Sequence, residues 1–310
     1  MTLDVYRGTL LSRARTLATL PEDELRRRAI AAARDHDLEG LWQLLEAYLG
    51  VHGKRRSQLS PGTLTKYRQG LRALLEIGQF DLLRPGRNDG ALYLGRLETA
   101  GLASSTVGVR LAAARALYAA LRWAGATQAN PFDGLSPQRD PVDPADKRGA
   151  YSRLEVERML EAADPLMRVL VLLGAHAGLR ISEALALEAG DVDLARRRLT
   201  VRRGKGGRQR SVVISRSLAD ALYAYGVQRL PIALNADQVR YRLEVLCKRA
   251  GVNQRGRAYH GLRHHAGTRL MAETRDLDRT AHHLGHANIN TTRVYAKLAD
   301  NALDNTAGQW

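Results

Sequence analysis

Residues 259–298 read YHGLRHHAGTRLMAETRDLDRTAHHLGHANINTTRVYAKL and hold six of the chain's nine histidines: His260, His264, His265, His282, His283 and His286. Arg263 sits among them, and Tyr295 follows nine residues after His286. Three plain readings compete with a catalytic one. The first is a metal site, because His260 and His264 are four apart and share a helix face, as do His282 and His286. No Glu follows His260 as in H-E-x-x-H, and Arg263 would repel a cation, so the metal reading is disfavoured. Satisfied core histidines explain one or two of the set, not six. A solvated basic face suits His265, His282 and His283 but not the whole. The catalytic reading is a phosphate-handling site. It needs fixed cations, proton carriers and a nucleophile, and all three are present.

H-x-x-R-H at His260, Arg263 and His264, then L-G-H ending at His286, then T-T-R-V-Y ending at Tyr295, resembles the tyrosine recombinase (phage integrase) family. Upstream, AGLRISEAL carries Arg180 and Glu183, and RGKGGRQR carries Lys205. Order and spacing fit over residues 151–298; each piece alone is weak, and five in order are specific. Gly261 departs from the pattern, since the family usually has Asp there. The resemblance implies a mainly α fold with a small antiparallel β-sheet. An N-terminal helical core-binding (SAM-like) DNA-binding domain would join a C-terminal mixed α/β catalytic domain in a C-shaped clamp on DNA.

It also implies roles. Attack on a DNA phosphodiester adds negative charge to the non-bridging oxygens, which arginine can neutralise with a permanent, bidentate charge. Arg180 and Arg263 would do this, and His286 would donate a hydrogen bond to the same phosphate. Tyr295 would be the nucleophile. A free phenol titrates near 10, so cations and a proton acceptor must help, and His260 is the candidate acceptor. Lys205 would protonate the departing 5′ oxygen. Glu183 and His264 would support the set. The product would be a 3′-phosphotyrosine and a 5′ hydroxyl, formed without metal, ATP or any cofactor. The expected activity is Xer-like or integrase-like site-specific recombination by a homotetramer or heterotetramer on two DNA sites. Two rivals stand: a type IB topoisomerase, and a DNA-binding regulator that does not cleave.

Composition points the same way. The 310 residues carry 48 basic and 32 acidic side chains, a net charge of +16 that favours a polyanion partner. The charge is segregated: residues 51–100 hold nine basic against four acidic, and residues 201–250 eleven against three. Two separate basic zones suit a protein that grips double-stranded DNA from two sides. Nothing resembles a signal peptide or membrane span. The single Cys247 excludes an internal disulfide and fits a reducing cytoplasm, with the protein nucleoid-associated. Its helical apolar spacing predicts a buried small hydrophobe.

Along the chain, residues 1–38 read as a helical extension, either an arm or a packing element. Residues 39–130 read as a four-helix domain. Ser60-Pro61 predicts a helix start, and Leu64, Tyr67, Leu71, Leu74 and Leu75 its buried stripe, with Gly78 closing it. Lys66, Arg68 and Arg72 fall mostly off that stripe and are candidate phosphate contacts, or ordinary surface charges. Residues 104–125 predict a second strong helix. Residues 131–150, with Pro131, Pro137, Pro141 and Pro144, read as a linker. In the domain 151–310, Ser152-x-x-Glu155 predicts a capping box. Residues 165–178 are too apolar to be exposed, and Gly178 ends that helix with Arg180 in the turn. Residues 196–203 and 208–215 predict a hairpin with Lys205 at its tip. Asn235-x-x-Gln238 opens a helix offering Arg240, Arg242, Lys248 and Arg249 to phosphates. The tail 299–310, with Leu303 and Trp310, is expected to dock on a neighbouring protomer.

Overall fold

Ser60 before Pro61 is enough to start a helix, and the structure, a computed structural model, starts one there. It describes residues 12, 14–53, 59–140, 149–202, 209–254, 256–285, 292 and 295. The chain divides into two compact units, Met1–Pro141 and Val142–Trp310.

The first unit is helical. Its helices are α1 (Glu22–Arg34), α2 (Leu38–His52), α3 (Pro61–Gly78), α4 (Asp89–Thr99) and α5 (Ser104–Trp123). The Ser60 hydroxyl accepts from the Thr63 amide, and Pro61 lacks the amide that would have been orphaned at that position. Gly78 is the last residue of α3 rather than its cap. The left-handed position falls on Gln79, with φ 53°, while a Cβ on Gly78 would meet the Phe80 ring at 3.0 Å. α3 and α5 pack closely because Gly70 lies against Ala113, where a Cβ would come within 2.5 Å. Tyr93 and Tyr118 meet Phe132 edge-on in the same core. α1 is no free arm: Leu25, Ala29, Ala32 and Ala33 bury their faces in that core alongside α2.

The second unit wraps helices around one apolar element. These are α6 (Arg153–Ala162), α7 (Pro165–Ala175), α8 (Ile181–Leu185), α9 (Arg216–Tyr225), α10 (Ala236–Arg249), α11 (Ala258–Thr274) and α12 (Leu277–Leu284). The capping boxes at Ser152–Glu155 and Asn235–Gln238 form as their spacing predicts. α7 is the core helix, with Val169 to Leu173 essentially unexposed. It ends at Ala175, three residues earlier than Gly178. Gly178 instead takes φ +65° in the following turn, where a Cβ would strike the Leu284 side chain at 2.4 Å. Three antiparallel strands, β1 (Val192–Asp193), β2 (Arg198–Val201) and β3 (Arg210–Val213), form one sheet in the order β1-β2-β3. Val201 pairs with Arg210 and Arg198 with Val213, so β2 and β3 are the expected hairpin; β1 is a short strand that the sequence did not announce. Lys205 lies outside the described residues. Cys247 is buried, and burial pushes its thiol up, as suits a packing residue. Among the described residues, no helix is long and apolar enough to cross a membrane.

Candidate active site

α8, α11 and β3 converge on one buried carboxylate, Glu183. Arg180 caps α8: its backbone amide donates to Glu183 Oε2 at 2.9 Å, and its Nη1 to Oε1 at 2.9 Å. Arg263 sits on the buried face of α11, 1% exposed. It donates from Nη1 to the Gly178 carbonyl and from Nη2 to the Leu284 carbonyl, both at 2.6 Å. Glu183 Oε2 lies 3.8 Å from its Nη1. Burial would raise the Glu183 carboxyl, but the Arg210 hydrogen bonds, the Arg180 amide and both guanidinium charges hold it down at about 2. Burial, then the neighbouring Arg180 charge, pulls Arg263 down to about 10.

Tyr295 completes the group. It is 2% exposed, and its ring lies over Gly267, four residues along α11 from Arg263. A Cβ on Gly267 would sit 2.7 Å from the Tyr295 ring, so only glycine leaves room for the phenol. The His264 ring is 5.5 Å from the Tyr295 ring, and the exposed His260 stands edge-on to His264 at 4.7 Å. Burial raises the Tyr295 phenol; the Arg263 and Arg180 charges and an Arg263 hydrogen bond pull against it without cancelling it. The structure thus brings together Arg180, Glu183, His260, Arg263, His264 and Tyr295. His286, like Lys205, lies outside the described residues.

Residues 152–302 match the phage integrase family, and residues 52–125 match the phage integrase N-terminal SAM-like domain. The chain is 31% identical over 274 residues to the tyrosine recombinase XerA of Thermococcus kodakarensis, covering 82% of this chain and 89% of the relative. It belongs to the phage integrase family of tyrosine recombinases. The recombinase is also 32% identical over 295 residues to XerD of Mycobacterium tuberculosis, covering 84% and 94% of the two chains. Its fold matches the crystal structure of the XerH site-specific recombinase bound to a palindromic difH substrate in a post-cleavage complex. That match has a TM-score of 0.67 at 19% identity, over 99% of this chain and 96% of the other.

Several residues of the recombinase sit differently from their sequence reading. His265 is not on a solvated face: it is buried, and its Nδ1 lies 2.7 Å from the Tyr151 carbonyl. His283 is half-buried, and burial pushes it down to about 4; His282 alone of these three is exposed. At Gly261, a Cβ would meet the Tyr151 ring at 2.8 Å. That ring stacks under the Arg257 guanidinium at 4.4 Å, and Arg257 forks onto Glu155 at 2.8 and 2.7 Å. An Asp at 261 has no room here. Among candidate phosphate contacts, Lys66, Arg72 and Arg242 are exposed. Arg68 is held by Glu39 at 2.6 Å, Lys248 by Glu244 at 3.1 Å, and Arg240 by Asp237.

Sequence reasoning missed Arg210 and Gly267. Arg210 is 9% exposed and grips both Glu183 oxygens. Phase is the only trace of each in the sequence, and it does not say what the residue meets: Arg210 is in phase with the apolar Val212 on its strand, and Gly267 shares a helix face with Arg263.

Proposed function

We propose that this recombinase cleaves and rejoins strands of double-stranded DNA at a specific site, through a covalent 3′-phosphotyrosine on Tyr295. The observation that carries the reading is a tyrosine packed on a buried arginine, Arg263, which with Arg180 and Arg210 shares the single Glu183 carboxylate in a fixed cluster of net positive charge. The Tyr295 oxygen attacks phosphorus while the bond to the 5′ oxygen breaks. His260 accepts the phenolic proton, and Lys205 supplies one to the 5′ oxygen. Arg180, Arg263 and His286 neutralise the charge that develops on the phosphate oxygens. Glu183 and His264 hold the set in place. The ester keeps the bond energy, so a 5′ hydroxyl from another duplex can reverse the step, and that reversal is strand exchange.

Dimers and tetramers on DNA fit this chemistry, since exchange needs two duplexes cut together; the tail 299–310 docking on a neighbour is the proposed link. The two units, which divide after Pro141 because Phe132 and Leu135 pack into the first of them, would close on the duplex as a clamp. Lys66, Arg72 and Arg242 are the candidate free contacts to phosphates, with Arg68, Arg240 and Lys248 available after exchange of their carboxylates.

A nicked duplex selected from random sequence by binding should trap a covalent adduct with the unsubstituted protein, and chelator should leave it intact. Tyr295→Phe should bind equally and give none. An adduct that persists in Tyr295→Phe would assign the nucleophile elsewhere.

A further inference from the structure

Glu183 is shared by three guanidinium groups, but not equally. A carboxylate can offer its two-oxygen edge to one guanidinium fork at a time. Arg210 takes that edge, with Nη1 at 3.0 Å from Oε1 and Nη2 at 2.9 Å from Oε2. Its Nε donates to the His283 carbonyl at 3.2 Å. Gly285, with φ +67°, presses its backbone onto the same guanidinium, where a Cβ would meet Nη1 at 2.8 Å. Arg210 is therefore clamped from β3, α8 and the end of α12 at once.

Arg180 is left with a single side-chain bond to Glu183 and a long 3.5 Å approach from Nη2 to the Gly285 carbonyl. It is also the accessible one: its side chain is 23% exposed, against 7% for Arg210 and 1% for Arg263. Three cations on one anion leave the cluster positive, and Arg180 is the member whose donors solvent can reach.

We propose that Arg210 is a positioning residue: by filling both oxygens of Glu183, it keeps Arg180 from folding onto that carboxylate and so holds Arg180 ready for the phosphate. This rests on the reading of Arg180 and Arg263 as the phosphate clamp. Remove Arg210, and the vacated two-oxygen edge of Glu183 draws Arg180 from its single side-chain bond into a fork–fork pair, where its charge is spent inside the protein.

The test is single-turnover cleavage of the selected nicked duplex at saturating protein, which reads the chemical step rather than binding. Arg210→Met should slow cleavage by roughly 10²-fold, the scale of losing one preorganised charge contact. Adding Glu183→Gln to Arg210→Met should restore part of the rate, because no anion remains to capture Arg180. A duplex whose scissile phosphate is an uncharged methylphosphonate makes less demand on the clamp. On it, Arg210→Met should come within a few-fold of the unsubstituted protein. Equal slowing on both duplexes would mean a general structural loss and overturn the proposal. Rescue by a bridging 5′ sulfur instead would move the role of Arg210 to the leaving group, through the hairpin that carries Lys205, and overturn it equally. If thermal melting shows that Arg210→Met does not fold, Arg210→Lys, which reaches one oxygen only, decides by the same ratio of rates on the two duplexes. No adduct from the unsubstituted protein would sink the reading of the site itself, a result distinct from any change in ratio.

Discussion

Glu39 and Glu183 each hold an arginine, at opposite ends of the burial scale. Glu39 takes one bond from Arg68 at 2.6 Å, with side chains 57% and 47% exposed. Glu183, with its side chain 2% exposed, takes a fork from Arg210 and a further bond from Arg180, with Arg263 at 3.8 Å. The same pair of groups differs in consequence because water competes for the first and is excluded from the second. An exposed pair gives up hydration and side-chain freedom for a screened attraction. A buried cluster has already lost its hydration, so each member depends on the others.

Breaking the buried side should have the largest effect. Glu183→Ala strands three guanidinium groups, and its unfolding free energy in denaturant should fall by about 3–5 kcal/mol. A loss below about 1 kcal/mol would mean that water reaches the cluster. Acid provides a graded version of the same test. The folded Glu183 carboxyl titrates at about 2 against an ordinary 4.5, so its contribution is full above pH 4.5 and fades as pH falls toward 2. By linkage, this is worth on the order of 3 kcal/mol. Stability measured from pH 6 to pH 3 should therefore drop more steeply in the unsubstituted protein than in Glu183→Gln; parallel curves would contradict it. The smallest effect belongs to the exposed side. Arg68→Ala should change stability by no more than about 1 kcal/mol, and less in high salt. A larger change would show that stacking on Trp42, 5.8 Å away, matters more than the ion pair.

What was legible in the sequence follows the same division. Caps such as Ser152–Glu155 and Asn235–Gln238, the α7 core run and the β2–β3 hairpin are written within a few neighbouring residues, and each formed. Arg180, Glu183, His260, Arg263 and Tyr295 were legible as a set because their types and order were distinctive. The burial of Arg210 was not, because a charged residue on a strand reads as solvent-facing. Its partner is 27 residues away, and only the packed chain supplies it. His265 misled for the converse reason: its acceptor is the Tyr151 carbonyl, 114 residues upstream, and backbone carbonyls leave no mark on a sequence. Gly267 was overlooked because a helical glycine is informative only once the ring above it is known.

The pairing of Arg68, Arg240 and Lys248 with Glu39, Asp237 and Glu244 turns any phosphate contact they make into ion exchange. A phosphate that takes such a cation must first evict a carboxylate, which then stands bare beside the duplex and recruits a sodium or potassium ion of its own. The counterion shed by the DNA is partly recaptured by the protein. A net charge of +16 therefore overstates how many ions binding sets loose. Contacts of this kind bring less affinity than a free lysine would, and they reward only a phosphate placed well enough to outcompete a carboxylate already in hand.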